Sequence, residues 1–202
     1  MPKKMLSLGP DGKLVLRLSD GRSETPSKGE GTAYVALDCS GSMFGEKLRD
    51  AKRGSLQFAK DAITKGYRVG LISFAADASH LSEPRDNPAD LEPLMELISA
   101  AGGTNMLAAV HLARGGLNCP GQRTLVIVTD GIPEEPDEVL RAAELATRGG
   151  IRILAIGTDD ADWDFLRRLA SEPGLALKVT AAQLEQSIAS AAKLLPDGSG
   201  KR

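Results

Sequence analysis

The sequence has few aromatic residues and almost no net charge, and both shortages narrow the range of functions. Aromatic residues make up 3% of the 202 residues, so the side chains on which nucleic-acid bases usually stack are scarce. The formal net charge of −2 also argues against a basic face that would attract a phosphate backbone. We therefore expect no nucleic-acid partner.

Cysteines and long apolar segments are scarce as well. The two cysteines, Cys39 and Cys119, are too few for a disulfide framework. No run approaches the roughly 20 apolar residues of a membrane-spanning helix, and the first residues lack the apolar segment of a secretory signal peptide. These features predict a cytoplasmic protein with no membrane partner.

What remains is a composition suited to a globular fold, because hydrophobic residues make up 42% of the chain. Residues 1–31 are predicted to form an N-terminal extension with one strand, Lys13–Leu18, and a polar linker rich in turn residues. The compact domain is predicted to span residues 32–195. Residues 196–202 show no pattern and are expected to form a flexible tail.

Within the predicted domain, short apolar segments alternate with helical patterns. This alternation predicts an α/β fold, with crossover connections and a mainly parallel sheet that is buried on both faces. Ligands of such sheets bind beyond the carboxyl ends of the strands, where the strand order reverses. The strands are predicted at 34–37, 69–74, 78–81, 124–129, 151–157 and 175–179, and the helices at 46–64, 88–100, 105–115, 134–148, 162–170 and 181–195.

The most informative segment follows the first strand of this domain and carries oxygen-bearing side chains at alternate positions, Asp38, Ser40 and Ser42. Two more oxygen donors follow in matching contexts: Thr104 comes after a Gly-Gly pair at a helix start, and Asp130 ends a later strand. Carboxylate and hydroxyl oxygens are hard ligands, which suit Mg²⁺, Mn²⁺ or Ca²⁺ and suit Zn²⁺ poorly. If the two strands are neighbours, both carboxylates face one crevice.

These hydroxyl side chains also have an ordinary structural interpretation. Ser40 and Ser42 could cap the helix that follows them, because Ser is favoured at helix N-caps. Thr104 could in the same way cap the helix predicted at 105–115, and it could serve both purposes. The positions of Thr104 at a helix start and of Asp130 at a strand end nevertheless favour a metal site.

The set Asp38-x-Ser40-x-Ser42, Thr104 and Asp130 resembles the metal-ion-dependent adhesion site of von Willebrand factor type A domains. The ending Gly-Ser-Met is similar to the bacterial and archaeal intracellular branch of that family. The resemblance implies a three-layer, doubly wound, Rossmann-like fold with helices on both faces of a mainly parallel six-stranded sheet. The implied strand order is 3-2-1-4-5-6, with strand 3 antiparallel. It also implies that the two serines bind the cation directly, the threonine directly or through water, and the aspartates often through water.

The resemblance further implies a non-catalytic protein-interaction module that depends on a divalent cation. Neutral hydroxyl ligands leave Mg²⁺, Mn²⁺ or Ca²⁺ electron-poor, so an open coordination position attracts an Asp or Glu carboxylate of a partner protein. Intracellular relatives often work with AAA+ ATPases. An adaptor for such an ATPase is therefore one expectation.

Two other functions stay open at this point. A Mg²⁺-dependent hydrolase, such as a phosphatase of the haloacid-dehalogenase type, would also keep an aspartate where Asp38 stands. Ser40, however, occupies the position at which those enzymes usually carry a second aspartate. The third function is a scaffold that binds partners away from the metal, for example by adding the strand Lys13–Leu18 to a sheet.

Overall fold

The structure is a computed structural model that describes residues 4–8, 14–18 and 31–197. Near the N-terminus, β1 (Lys4–Leu8) and β2 (Leu14–Leu18) form a separate antiparallel sheet of two strands. The sequence predicted β2 but not β1, because β1 lacks the β-branched residues that mark a strand. The predicted polar linker lies outside the described residues except for Gly31. The end of the predicted tail, residues 198–202, also lies outside them.

The main sheet has six strands in the order β5-β4-β3-β6-β7-β8. All neighbouring strands in it are parallel except β4 and β5, which are antiparallel. Counted from the first strand of the main sheet, this is the order 3-2-1-4-5-6 with strand 3 antiparallel, as predicted. The strands are β3 (Gly31–Asp38), β4 (Tyr67–Phe74), β5 (Ala78–Arg85), β6 (Gln122–Thr129), β7 (Arg152–Thr158) and β8 (Ala176–Val179).

Helices cover both faces of this sheet. Successive side chains of a strand point to opposite faces, so Val35 packs in one apolar cluster and its neighbour Tyr34 in the other. The first cluster also holds buried residues of α1, α2 and α6, and the second holds those of α3, α4 and α5. The helices are α1 (Glu46–Thr64), α2 (Glu92–Glu96), α3 (Met106–Gly116), α4 (Pro136–Arg148), α5 (Trp163–Leu169) and α6 (Leu184–Ala191).

Two predicted helices are shorter than their apolar patterns suggest. The segment predicted as one helix over 88–100 contains a 3₁₀ turn, Pro88–Asp90, and then only the short α2. The chain leaves the helix because it must reach the end of β3, where Ala101 N–H donates to the Cys39 carbonyl at 2.8 Å. The segment predicted as a helix over 181–195 is α6 flanked by 3₁₀ turns at both ends.

The edge strand β5 is longer than predicted and runs to Arg85 instead of ending near residue 81. Its pairing with β4 is irregular, with shifts of register around Leu71. Pro84 lies inside β5, where it is tolerated because an edge strand leaves one row of backbone groups unpaired. The described residues contain no helix long and apolar enough to cross a membrane.

The centre of the sheet creates the crevice in which a site can form. β3 pairs in parallel with both β4 and β6, so the strand order reverses on either side of β3. In the register of β3 and β6, Leu37 lies opposite Val128. The residues that follow these two positions therefore emerge side by side at the carboxyl edge of the sheet.

Candidate metal centre

Asp38, the last residue of β3, is fully buried and has hydrogen bonds to both carboxylate oxygens. Oδ1 accepts from the backbone N–H of Ser40 at 2.8 Å, and Oδ2 accepts from the hydroxyl of Thr129 at 2.6 Å. Burial raises the pKa of Asp38 above its usual range, and the hydrogen bonds from Thr129 and Ser40 oppose that rise. The carboxylate is thus held in one orientation in a place where an extra positive charge would stabilise it.

The two serines of the loop after β3 connect Asp38 to the end of β6. Ser40 is 3% exposed, and its Oγ lies 3.0 Å from Oγ of the exposed Ser42. The hydroxyl of Ser42 donates to Oδ1 of Asp130 at 2.6 Å. The structure therefore brings four of the predicted ligands into one chain of contacts at the switch point.

The helix-cap interpretation of the hydroxyl residues is wrong. The N-cap of α1 is Gly45, and no side chain caps that helix; Ser40 precedes a 3₁₀ turn without making a side-chain cap bond. The N-cap of α3 is Asn105, whose side-chain oxygen accepts from Ala108 N–H at 3.1 Å. The hydroxyls of Ser40 and Ser42 contact one another instead, so neither is used to cap a helix.

Thr104 lies on a third loop that is tied to the other two. Gly41 N–H donates to the Gly102 carbonyl at 3.2 Å, which joins this loop to the loop after β3. Thr104 N–H donates to Glu134 Oε1 at 3.3 Å, and Glu134 N–H donates to the Thr104 carbonyl at 3.4 Å. A Cβ at Gly103 would meet the carboxylate of the exposed Glu134, which would have to move and give up its bond to Thr104 N–H.

The hydroxyl of Thr104 makes no hydrogen bond to the other predicted ligands. Its loop is held at the same edge of the sheet by the backbone bonds to the loops after β3 and β6. The side chain is half-buried and borders a small cavity of about 130 Å³ with Pro133 and Glu134. The structure thus places Thr104 beside the cluster but joins it to the cluster only through the backbone.

The sequence analysis missed Lys47, which brings a positive charge to this cluster. Its Nζ lies 2.7 Å from Oδ2 of Asp130 and 2.7 Å from Oδ2 of Asp160. The side chain of Asp130 is 0% exposed, whereas that of Asp160 is 68% exposed. Burial alone would lower the pKa of Lys47, but the hydrogen bonds to the two carboxylates raise it. The hydrogen bond from Lys47 in turn lowers the pKa of Asp160.

A signal for Lys47 was present in the sequence. It lies in the first turn of α1, where the helix dipole disfavours a cation, so a lysine there needs a compensating carboxylate. Thr129 was missed as well, and its signal is a hydroxyl side chain directly after the four apolar residues 125–128 of β6. A buried hydroxyl of this kind requires a hydrogen-bond partner, which is Asp38.

The donor set fits a hard divalent cation. It consists of hydroxyl and carboxylate oxygens, and both carboxylates are buried. Among the described residues, no group of three or more His, Cys, Asp or Glu side chains could hold a metal ion. The two carboxylates are therefore too few to hold a cation by themselves, and the hydroxyls of Ser40 and Ser42 are the further side-chain oxygens in contact with them. Asp38, Asp130 and Asp160 carry three formal negative charges and Lys47 carries one positive charge, so the cluster is left with −2, which matches the charge of a divalent ion.

A doubly wound sheet with this cluster of oxygen donors at its switch point defines a class of ligand-binding α/β domains. The sequence profile described as "von Willebrand factor type A domain" matches residues 34–191. The chain belongs to the von Willebrand factor type A domain family. Members of this family generally act as adhesion or interaction modules.

Known proteins resemble the chain in sequence and in structure. It is 35% identical over 128 residues to the mouse (Mus musculus) von Willebrand factor A domain-containing protein 2, a match that covers 59% of this chain and 16% of the mouse protein. The vWF domain of the type V pili tip protein Mfa5 from Porphyromonas gingivalis superposes with a TM-score of 0.77 at 14% identity. That match covers 87% of this chain and 98% of the Mfa5 chain. The chain thus corresponds to a small part of the mouse protein.

A third similar protein has been solved with a metal bound. Proximal thread matrix protein 1 from the mussel byssus superposes with a TM-score of 0.67 at 19% identity, over 83% of this chain and 46% of the mussel chain. That structure has a zinc-occupied MIDAS motif (metal-ion-dependent adhesion site). Divalent metal binding therefore occurs in this fold. The preference for Mg²⁺, Mn²⁺ or Ca²⁺ over Zn²⁺ in the present chain stays a prediction.

Proposed function

We propose that this domain is a protein-interaction module that depends on a divalent cation. The observation that carries the proposal is the continuous set of contacts from Asp38 through Ser40 and Ser42 to Asp130 at the switch point. In the proposal, Ser40, Ser42 and Thr104 present hydroxyl oxygens to the cation, and the two carboxylates balance its charge. The bound cation supplies an electron-poor centre to which a carboxylate of a partner protein binds.

The proposal names Mg²⁺ as the first choice of cation, with Mn²⁺ or Ca²⁺ as the alternatives. The support is the donor set, which is rich in neutral hydroxyls and has no sulfur or imidazole ligand among the proposed residues. The proposed location is the cytoplasm, for which the support is the low cysteine content and the free state of Cys39 and Cys119. The division into an extension (1–31), a domain (32–195) and a tail (196–202) is retained as part of the proposal.

An AAA+ ATPase as the protein that presents the carboxylate is a finer part of the proposal. Its support is the family resemblance of the Gly-Ser-Met ending alone.

The proposal includes no catalysis. Both oxygens of Asp38 already accept hydrogen bonds in a fully buried position, so this carboxylate is poorly placed to attack a substrate. This observation disfavours the hydrolase alternative that the sequence left open.

Affinity capture with and without chelator tests the proposed function. The tagged chain is incubated with lysate of its source cells in Mg²⁺ or in EDTA, and the captured proteins are identified by mass spectrometry. Ser42→Ala removes a proposed ligand, and Ser79→Ala on β5 is the control, because both serines are exposed. We expect the parent and Ser79→Ala to capture the same proteins in Mg²⁺, and EDTA or Ser42→Ala to abolish that capture. Capture of the same partners by Ser42→Ala in EDTA would defeat the proposal.

A further inference from the structure

Two exposed apolar side chains lie close in sequence to proposed ligands of the candidate metal centre; a third, Leu97, is 78% exposed but lies seven residues before Thr104. Phe44 is 81% exposed and Ile132 is 54% exposed, and each stands two residues after a proposed ligand, Ser42 or Asp130. The loop of Phe44 is anchored, because the neighbouring Met43 is fully buried in the core. A large apolar side chain held out in solvent by an anchored loop is typical of a protein contact surface.

The charged residues around the same centre are almost all acidic. The segments that form the carboxyl edge of the main sheet are 39–45, 75–77, 97–105, 130–135 and 159–162. Within these described segments no Lys or Arg occurs. The exposed acidic residues there are Asp77, Glu134, Glu135, Asp159, Asp160 and Asp162.

Two cations near this edge do not reverse that balance: Lys47 of α1, and the exposed Lys178 of β8, whose charge acts on Asp160. Lys47 is already paired with two carboxylates at 2.7 Å each, so it offers little attraction to a further acid. If the partner carried a second acidic residue near the metal-bound one, that residue would therefore face the acidic side chains of this edge and be repelled. Basic side chains of a partner would instead meet opposite charges, and such complementarity sets specificity at interfaces.

From this surface we infer that the partner presents a single carboxylate, flanked by apolar side chains and then by basic ones, and not an acidic tract. The carboxylate binds the cation, the apolar neighbours pack on Phe44 and Ile132, and the basic residues face the acidic rim. The inference rests on the proposed function, because the carboxylate needs the cation.

Selection from a peptide display library tests this inference. The library consists of short peptides with a fixed central Asp and random flanks, and it is selected against the full 202-residue chain in Mg²⁺ and in EDTA. We expect enrichment that depends on Mg²⁺, with apolar residues beside the Asp, Lys or Arg farther out, and depletion of additional Asp and Glu. An enriched peptide should bind Phe44→Ser about tenfold more weakly than the parent. Burial of the phenylalanine side chain at the interface stabilises the complex by enough free energy to account for this factor.

Leu145→Ser on α4 is the matched control. Leu145 is 54% exposed, as Ile132 is, but it lies near the end of α4, away from the carboxyl edge of the sheet. Its substitution should leave peptide affinity unchanged. Mg²⁺-dependent enrichment of acidic tracts, or an apolar preference that persists in Phe44→Ser, would overturn the inference and leave the proposed function standing. Selection that is the same in Mg²⁺ and EDTA would overturn both.

Discussion

Replacing Asp38 by Asn should separate the stability of the fold from the binding of the cation. The carboxamide has the same shape as the carboxylate and can keep both neighbours. Its oxygen can accept from Ser40 N–H, and its NH₂ group can donate to Thr129 Oγ1. The Thr129 hydroxyl can then turn its proton to the Gly131 carbonyl, which lies 3.3 Å away. The buried polar groups that contact residue 38 therefore all keep a partner.

In EDTA, the Asp38→Asn variant should unfold at the same temperature as the parent or at a higher one. Burial raises the pKa of Asp38, so at neutral pH the ionised carboxylate is less favourable in the folded protein than in the unfolded chain. This penalty is present above the ordinary pKa of aspartate and disappears as the carboxyl becomes protonated. Lowering the pH from neutral should thus stabilise the metal-free parent relative to the variant.

In Mg²⁺ the order should reverse. A ligand present at about 100 times its dissociation constant stabilises the native state by about 2.7 kcal/mol. For a chain of this size, about 1 kcal/mol shifts the midpoint by roughly 2–4 °C, so the parent should gain about 5–10 °C. Asp38→Asn should gain little, because one of the two charges that balance the cation is gone.

Thermal unfolding followed by far-UV circular dichroism measures the midpoints of the parent and of Asp38→Asn, each in EDTA and in Mg²⁺. The control is Asp61→Asn, an exposed aspartate on α1, which should respond to Mg²⁺ as the parent does. Equal gains in Mg²⁺ for the parent and Asp38→Asn would refute the assignment of this carboxylate to the metal centre. A large loss of stability for Asp38→Asn in EDTA would refute the view that its ionised form is unfavourable.

Three further predictions concern an ion pair, the packing of a helix and the reactivity of the two cysteines. Lys47→Met should lower the melting temperature in EDTA, since it leaves a buried carboxylate without its cation, and Mg²⁺ should restore more stability to it than to the parent. Gly54→Ala should destabilise the protein by about 1–3 kcal/mol in urea unfolding, because the new Cβ would clash with α6, whereas Gly115→Ala should stabilise it by up to about 1 kcal/mol. Iodoacetamide should label Cys119 before Cys39, which is 3% exposed and whose pKa is raised by burial to about 12.

Each of these expectations has a clear contrary result. Unchanged melting of Lys47→Met in EDTA would mean that the ion pair contributes nothing to the fold; Lys60→Met, at an exposed site on α1, is its control. Equal effects of the two glycine substitutions would contradict the tight packing of α1 on α6. The labelling of each cysteine is followed by peptide mass spectrometry. If Cys39 reacts as fast as Cys119, the loop after β3 opens in solution.

Local pattern was enough to predict much of the fold, and it failed where tertiary contacts overrode it. The bounds of α1 were predicted correctly, because its apolar face and its Lys-Gly ending are local features. The apolar pattern over 88–100 is equally helical, yet the structure ends α2 at Glu96. The reason is the backbone bond between Ala101 and Cys39, which joins residues far apart in the chain. No periodicity can indicate such a requirement.

For the candidate site, the sequence by itself determined which side chains stand at the strand ends. Asp38, Ser40 and Ser42 alternate just after an apolar strand, and Asp130 directly follows another. Only the tertiary structure decided that Thr129 holds Asp38 and that Ser42 donates to Asp130. It also decided that Lys47 pairs with Asp130 and Asp160, which lie 83 and 113 residues from it along the chain. A short segment of sequence specifies its own local conformation and the chemical groups that it carries. The partners of a buried charge depend on strand order and loop packing, because they come from elements that meet only when the sheet is assembled.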